Sequence, residues 1–334
     1  MFPITHETQL KAIQSELYSS FDKAFGKAKT CVLLDFPNHG NVGDSAIWLG
    51  ERHYLKERNI DVTYTASISA YASTKINDDH LAGPIVFHGG GNFGDLWLKH
   101  QQFRLDVIQR HPEHQIICLP QTLHFSDLAL EKAHFKIINQ HPRLTMFVRD
   151  RNSFEIFRRN SAHSVHLCPD SALFLNIPRP GNVTTDVVSL YRTDHETRGK
   201  AMNPTDSEDW TKDTFRPKRL LVPLLKHLVR DFGSPSLNDI EFLDEVANER
   251  LARGCRQISR GNIMVCDRLH AHILATIMGV PHVVMDNNYG KICSFRECWT
   301  KDLPLHRFCA DHSQIPKAIE ELRAEIKQLG VTHS

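Results

Sequence analysis

A chain of 334 residues is longer than most single hydrophobic cores, and at about 100–200 residues per domain it predicts two. With 41% apolar and 24% charged residues it has ordinary globular composition, and a formal charge of +1 excludes a strong net field toward nucleic acid or anionic lipid. No stretch approaches the ~18–20 apolar residues needed to span a bilayer.

The first element is a helix, with Leu10, Ile13, Leu17 and Phe21 on one stripe. It has neither the apolar core nor the small-residue cleavage site of a signal peptide, so a cytoplasmic chain with eight reduced cysteines is expected. Short β-rich runs then alternate with helical patterns: CVLLDF (31–36), DVTYTA (61–66), PIVFHG (84–89), QIICLP (115–120), LTMFVR (144–149) and SVHLCP (164–169). Apolar strands separated by helices predict an α/β domain with a parallel sheet covered on both faces, ending near residue 176. NIPRPGN (176–182) reads as a linker, and DVVSLYR (186–192) opens a second α/β domain over 183–312. Within it, the polar stretch 194–218 reads as a long lid or binding loop, followed by an apolar stretch broken by Pro223. A helix near 239–253, the strand NIMVCD (262–267), a helix, the strand PHVVMD (281–286) and a closing helix in the tail 313–334 complete the pattern.

Strand ends are where α/β sheets bind ligands. One element, G-N-x-G-D, occurs twice: Asn41, Gly43 and Asp44 stand in the first copy where Asn92, Gly94 and Asp95 stand in the second. Each copy follows an apolar strand and precedes a helical pattern, which predicts two turns on one sheet edge, with glycines admitting a ligand and helix N–H groups suiting an anion. Asp44 and Asp95 fit equally well as helix N-caps. Gly89, Gly91 and Gly94 satisfy G-x-G-x-x-G, but they follow the third strand and no ribose-binding acid ends the next one, so no dinucleotide site is expected. Gln121, Thr122, Arg149, Asp150 and Asp170 end other strands of the same sheet, and pairing of Arg149 with Asp170 would account for two of them without chemistry.

In the second half a strand ends in Asp267-Arg268-Leu269-His270 and an apolar helix begins at once, so a guanidinium fork and an imidazole stand at a helix N-terminus. Lys291, after the next strand, and Arg192, after VVSLY, add cations at the corresponding edge and favour an anionic ligand. His272 points elsewhere on the helix and reads as core. The 21 histidines are scattered and the cysteines form no C-x-x-C, so no metal site is expected.

Together these motifs resemble the polysaccharide pyruvyl transferases. GNVGDSAIW (40–48), FHGGGNFGD (87–95), LPQT (119–122), VRD (148–150), CPDSA (168–172), LYRTDHE (190–196), DRLHAHI (267–273) and DNNYGK (286–291) occur in that family's order over nearly the whole chain. The resemblance implies a GT-B-like fold, two Rossmann-like domains facing across a cleft, with the last helix returning toward the N-terminal domain. It implies transfer of a pyruvyl group from phosphoenolpyruvate to two hydroxyls of one sugar, giving a cyclic ketal and phosphate without a cofactor. Arg268, His270 and Arg192 would hold the donor, flanked by Leu269 and Lys291. Asn41, Gly90, Gly91, Asn92, Gln121 and Asp170 would face the acceptor, a sugar or oligosaccharide that is lipid-linked if the chain works at the inner face of the membrane. His270 would act as acid or as phosphate clamp; Asp95, ahead of Asp44 and Asp170, would be the base. Two other readings stay open: a GT-B glycosyltransferase using a nucleotide sugar, and a non-catalytic sugar-phosphate binding protein. The sequence leaves the oligomeric state open.

Overall fold

A computed structural model describes residues 4–71, 76, 80–181, 183–192, 210, 239–287 and 290–328. Seven parallel strands form the first sheet: β1 (Thr30–Leu34), β2 (Asp61–Ala66), β3 (Ile85–Phe87), β4 (Gly90–Gly94), β5 (Ile116–His124), β6 (Leu144–Val148) and β7 (Val165–Leu167). Their order is β2-β1-β3-β5-β6-β7, with β4 paired to β5 in line with β3. Among the described residues, five α-helices accompany this half: α1 (Ile4–Phe25), α2 (Val42–Glu57), α3 (Leu98–Arg110), α4 (Leu128–Ile138) and α5 (Arg151–Asn160). The second sheet runs β11-β10-β9-β8, again parallel, from β8 (Thr185–Leu190), β9 (Gly261–Cys266), β10 (His282–Met285) and β11 (His306–Cys309). Its helices are α6 (Ile240–Ser259), α7 (Leu269–Met278), α8 (Lys291–Trp299) and α9 (Ile315–Gln328). The whole is a GT-B-like α/β fold, two Rossmann-like sheets facing across a cleft.

The central strands form because they are apolar without interruption: Cys31 to Leu34 of β1 and Ile263 to Cys266 of β9 are buried, as sheets covered on both faces require. Two strands escape such a reading. β4 is the GGNFG of the second G-N-x-G-D copy, with Gly90 and Gly94 at positive φ (132° and 123°). It lacks the side chains that would betray a strand. β11 is HRFC, whose Arg307 pairs with Glu321 and Glu325 of α9.

The paired turns are therefore not equivalent. The first copy starts α2, whose N-cap is Asn41, its carbonyl accepting from Gly43 N at 3.0 Å. The second is an edge extension of the sheet, and its helix, α3, begins only at Leu98. Neither aspartate is an N-cap: Asp44 lies inside the first turn of α2, and Asp95 precedes a helix capped at Trp97 without a side-chain bond.

The last helix does not return to the first sheet. Ala318 and Leu322 of α9 pack with Ile263, Val283 and Met285 of their own sheet. The helix that crosses is α1, where His6 Nε2 donates to Thr276 O of α7 at 2.9 Å. α2 lies between the halves, with twelve of its sixteen residues buried. The proposed lid at 194–218 and the apolar stretch around Pro223 lie outside the described residues, apart from Trp210.

Candidate active site

A cavity of about 350 Å³ opens between the carboxyl ends of the two sheets. One wall is Asp35, His39, Asn41, Asp44, His88, Gly89, Gly91 and Asn92; Arg192, Arg268, Leu269, His270 and Lys291 face it. Nine of the residues singled out in the sequence thus share one cavity: Asn41, Asp44, Gly91, Asn92, Arg192, Arg268, Leu269, His270 and Lys291.

The cationic wall is assembled by strand ends. Asp267 accepts from Arg192 N at 2.7 Å, tying the end of β8 to the end of β9. Burial raises the Asp267 carboxyl, opposed by that bond and by Arg268. Asp286 performs the equivalent task after β10, its Oδ1 accepting from Asn287 N, Ile292 N and Cys293 N, which fixes the start of α8 and thus Lys291.

His270 inserts across the cleft toward α2. A Cβ built on Gly43 would lie 2.3 Å from its Nδ1, so this glycine leaves room for the ring. On its other side Nε2 is 3.3 Å from Arg149 Nη1 and 3.4 Å from Asp170 Oδ2. Arg149 can donate to the neutral ring, and Asp170 can accept from the charged one. Each protonation state has a partner. Burial lowers His270, with Asp170 opposing; Asp170, despite its own burial, is held well below the usual carboxylate range by Arg149 at 2.5 Å and then by His270. The Arg149–Asp170 pairing foreseen as structural exists, and it also buttresses the imidazole. Arg149 Nη2, buried without a partner among the described residues, would lie 3.2 Å from a Cβ on Gly91, and Lys291 Nζ would lie 2.5 Å from that same Cβ.

Four predicted residues stand outside the cavity lining. Asp95 Oδ2 accepts from Ser126 N, Ser126 Oγ and Asp127 N at 2.6–2.8 Å and secures the loop before α4. Gln121 donates to His88 O at 2.6 Å, behind the wall. Asp170 is fully buried behind His270, and Gly90 would bring a Cβ to 3.8 Å from Asp44 Oδ1. Asp44 remains in the lining, with Asn41 Nδ2 donating to its Oδ2 at 2.8 Å. Burial raises its carboxyl, but His39, His270, His88 and Lys291 together lower it.

A profile of the family described as polysaccharide pyruvyl transferase matches residues 41–289, the span that contains both cavity walls. The chain belongs to the polysaccharide pyruvyl transferase family. Pyruvyl transferase 1 of Schizosaccharomyces pombe is 31% identical over 321 residues, 92% of this chain and 78% of its own. EpsO of Bacillus subtilis is 29% identical over 291 residues, covering 84% and 88%. A crystal structure of an uncharacterised Klebsiella pneumoniae protein superposes with a TM-score of 0.62 at 16% identity, over 90% of this chain and 99% of that one, which speaks to fold alone.

This pyruvyl transferase carries functional candidates that sequence reasoning passed over. Asp35 and His88 end β1 and β3, so the strand-end rule applied to LLD and VFH would have found them. Glu51, buried on α2, bonds His88 Nδ1 at 2.8 Å and takes Gly89 N through its other oxygen, also at 2.8 Å. The glutamate raises His88 against its burial. His100 and Trp97 carried no signal: no side-chain cap bond marks the start of α3.

Proposed function

We propose that this pyruvyl transferase moves the pyruvyl group of phosphoenolpyruvate onto two hydroxyls of one sugar, releasing phosphate and leaving a cyclic ketal. The observation that carries the reading is the cluster of Arg192, Arg268, His270 and Lys291 in a single cavity. Phosphoenolpyruvate places a phosphate and a carboxylate on three carbons, and a guanidinium fork with an ammonium neutralises both anions at that separation without further help. The buried Nη2 of Arg149 adds a donor on the same side.

The first hydroxyl attacks the carbon bearing the phosphate ester as the adjacent methylene takes a proton; the second hydroxyl then displaces phosphate. His270 supplies the methylene proton: it is the imidazole among the cations of that wall, and Arg149 and Asp170 can partner its neutral and charged forms. The opposite wall, with Asn41 and Asp44, takes the acceptor sugar, either free or lipid-linked. Among the described residues no helix is long and apolar enough to cross a membrane, so contact with a lipid-linked acceptor would be peripheral. No cofactor enters the scheme.

The test is incubation with phosphoenolpyruvate and defined oligosaccharides, free and lipid-linked, with phosphate release and mass spectrometry for the ketal as readouts. Arg268→Ala is expected to lower phosphate release by about 10²–10³-fold, the usual cost of removing one donor to developing charge. Near-normal turnover by that variant, or turnover of nucleotide sugars with none of phosphoenolpyruvate, overturns the proposal.

A further inference from the structure

Two carboxylate–imidazole pairs line the acceptor wall. In one, Glu51 and His88 are both buried, and His88 shows only 2% of its surface to the cavity it lines. In the other, Asp35 is 1% exposed, whereas the His100 side chain retains 23% of its exposure and faces the cavity. His100 Nδ1 donates to Asp35 Oδ1 at 2.9 Å and lies 3.0 Å from Oδ2. Asn92 Nδ2 also lies 3.1 Å from that nitrogen, but the buried carboxylate is the closer and charged partner and favours the proton on Nδ1, which leaves the lone pair of the neutral ring on Nε2.

The pair is held from behind. Asn92 Nδ2 donates to Asp35 Oδ2 at 3.1 Å, and Asn92 Oδ1 accepts from Arg104 Nη2 at 2.8 Å. Arg104, fully buried against the rings of Phe87 and Phe93, therefore dictates which way the Asn92 amide points. Asp35 itself sits at φ 72°, a left-handed conformation costly for a residue with a Cβ. The asparagine of the GGGN motif thus acts on a carboxylate rather than on sugar.

The scheme above requires a base for the attacking hydroxyl. Asp95 is spent on the loop before α4. Asp44, lowered by its cationic neighbours, is a weak proton acceptor. An imidazole oriented by a buried carboxylate is the better one.

We propose that His100 is the general base for the first attacking hydroxyl, with Asp35 as its positioning residue and Asn92 and Arg104 holding Asp35. This rests on the ketal-forming reading. The hydroxyl proton passes to His100 Nε2 as the new C–O bond forms, and the π pair of the enol ester takes a proton at the methylene from His270. When the second hydroxyl displaces phosphate by breaking the ester C–O bond, its proton leaves on hydrogen phosphate. His100 returns its proton to the cavity to recharge His270, so over a cycle the two hydroxyl protons end on the methyl group and on phosphate.

The test compares wild type, His100→Gln, His100→Ala and Asp35→Asn, with phosphoenolpyruvate and an acceptor the wild type turns over. For His100→Gln, kcat is expected to fall by about 10²–10⁴-fold. KM values and phosphoenolpyruvate affinity by calorimetry should stay within about threefold. Added imidazole should restore about tenfold or more of the activity lost by His100→Ala. Nitrogen-15 NMR should report the Nδ1–H tautomer of His100 in wild type and its loss in Asp35→Asn. Near-normal kcat in His100→Gln, a loss confined to phosphoenolpyruvate affinity, or failure of imidazole rescue in folded His100→Ala overturns the base while the ketal-forming reading stands. A wild type that releases no phosphate from phosphoenolpyruvate with any acceptor sinks both.

Discussion

Gly43 illustrates how a residue type can be legible while its reason is not. In the sequence it reads as a glycine of a ligand-admitting turn. In the fold its φ is not positive; it occupies the first turn of α2, and its missing side chain admits His270. A Cβ there would lie 2.3 Å from the ring Nδ1, 2.5 Å from Cγ and 2.7 Å from the His270 Cβ. Rotating the imidazole cannot relieve a clash with its own Cβ, so backbone must move. Gly43→Ala is expected to lower kcat/KM by about 10²-fold, the scale of an ångström's misplacement. The helix preference for alanine, about 1 kcal/mol, offsets part of an overpacking cost of about 1–3 kcal/mol, so the melting temperature should fall only modestly. Steady-state kinetics beside a thermal melt checks this; full activity with a lowered melting temperature would mean that His270 does not need its present position.

At the scale of elements, α7 joins the site to a buried histidine core. Its N-terminus presents His270 to the cavity, while His272, two residues further on and on the other side of the helix, is fully buried. His282 Nδ1 donates to Val280 O at 2.8 Å, so its Nε2 accepts from His272 Nδ1 at 2.7 Å, and His272 Nε2 accepts from Thr300 Oγ1 at 2.8 Å. Arg296 Nε donates to His306 Nε2 at 3.1 Å. Every ring must be neutral. Burial pushes His282 down to about 4 and His306 down to about 3, and takes His272 well below its ordinary value. For bases held below their unfolded value of about 6.5, this stabilisation is complete above pH 6.5 and is lost as pH falls through the folded values near 4 and 3. His282 alone removes on the order of 3 kcal/mol by pH 4. Denaturant midpoints are expected to fall between pH 6.5 and 4, with a shallower slope in His282→Gln; equal slopes would remove the histidines as the cause. These contacts lay beyond sequence reasoning because His272, His282 and His306 meet only after β10 and β11 pair. Strands that are apolar throughout, such as VLL in β1 and IMVC in β9, were legible. β4 was not, because three of its five residues are glycine and a strand without side chains carries no period.

For the whole molecule, the sequence divides the chain at a linker, yet the interior does not divide there. Trp48, Arg52 and Lys56, on α2 of the first half, all donate to Asp244 on α6 of the second, at 2.9, 3.2 and 2.8 Å. From the same helix Arg250 donates to Pro37 O and Arg253 to Gly40 O, so α6 grips the loop that leads into Asn41. One apolar cluster runs through both halves, from Leu33 and Trp48 to Leu251 and Met264. Asp244→Ala leaves the Arg52 guanidinium, 7% exposed, without its carboxylate, and breaking such a buried pair costs about 3–5 kcal/mol. Because the shared cluster survives the substitution, unfolding should remain a single transition at a lower denaturant midpoint. On the proposed function, activity should suffer through the wall assigned there to the acceptor, with acceptor KM rising more than phosphoenolpyruvate affinity falls. The measurement is chemical denaturation followed by tryptophan fluorescence and by circular dichroism. Coincident curves at a lowered midpoint are expected, whereas two separated transitions in the variant would mean that Asp244, rather than the apolar cluster, couples the halves.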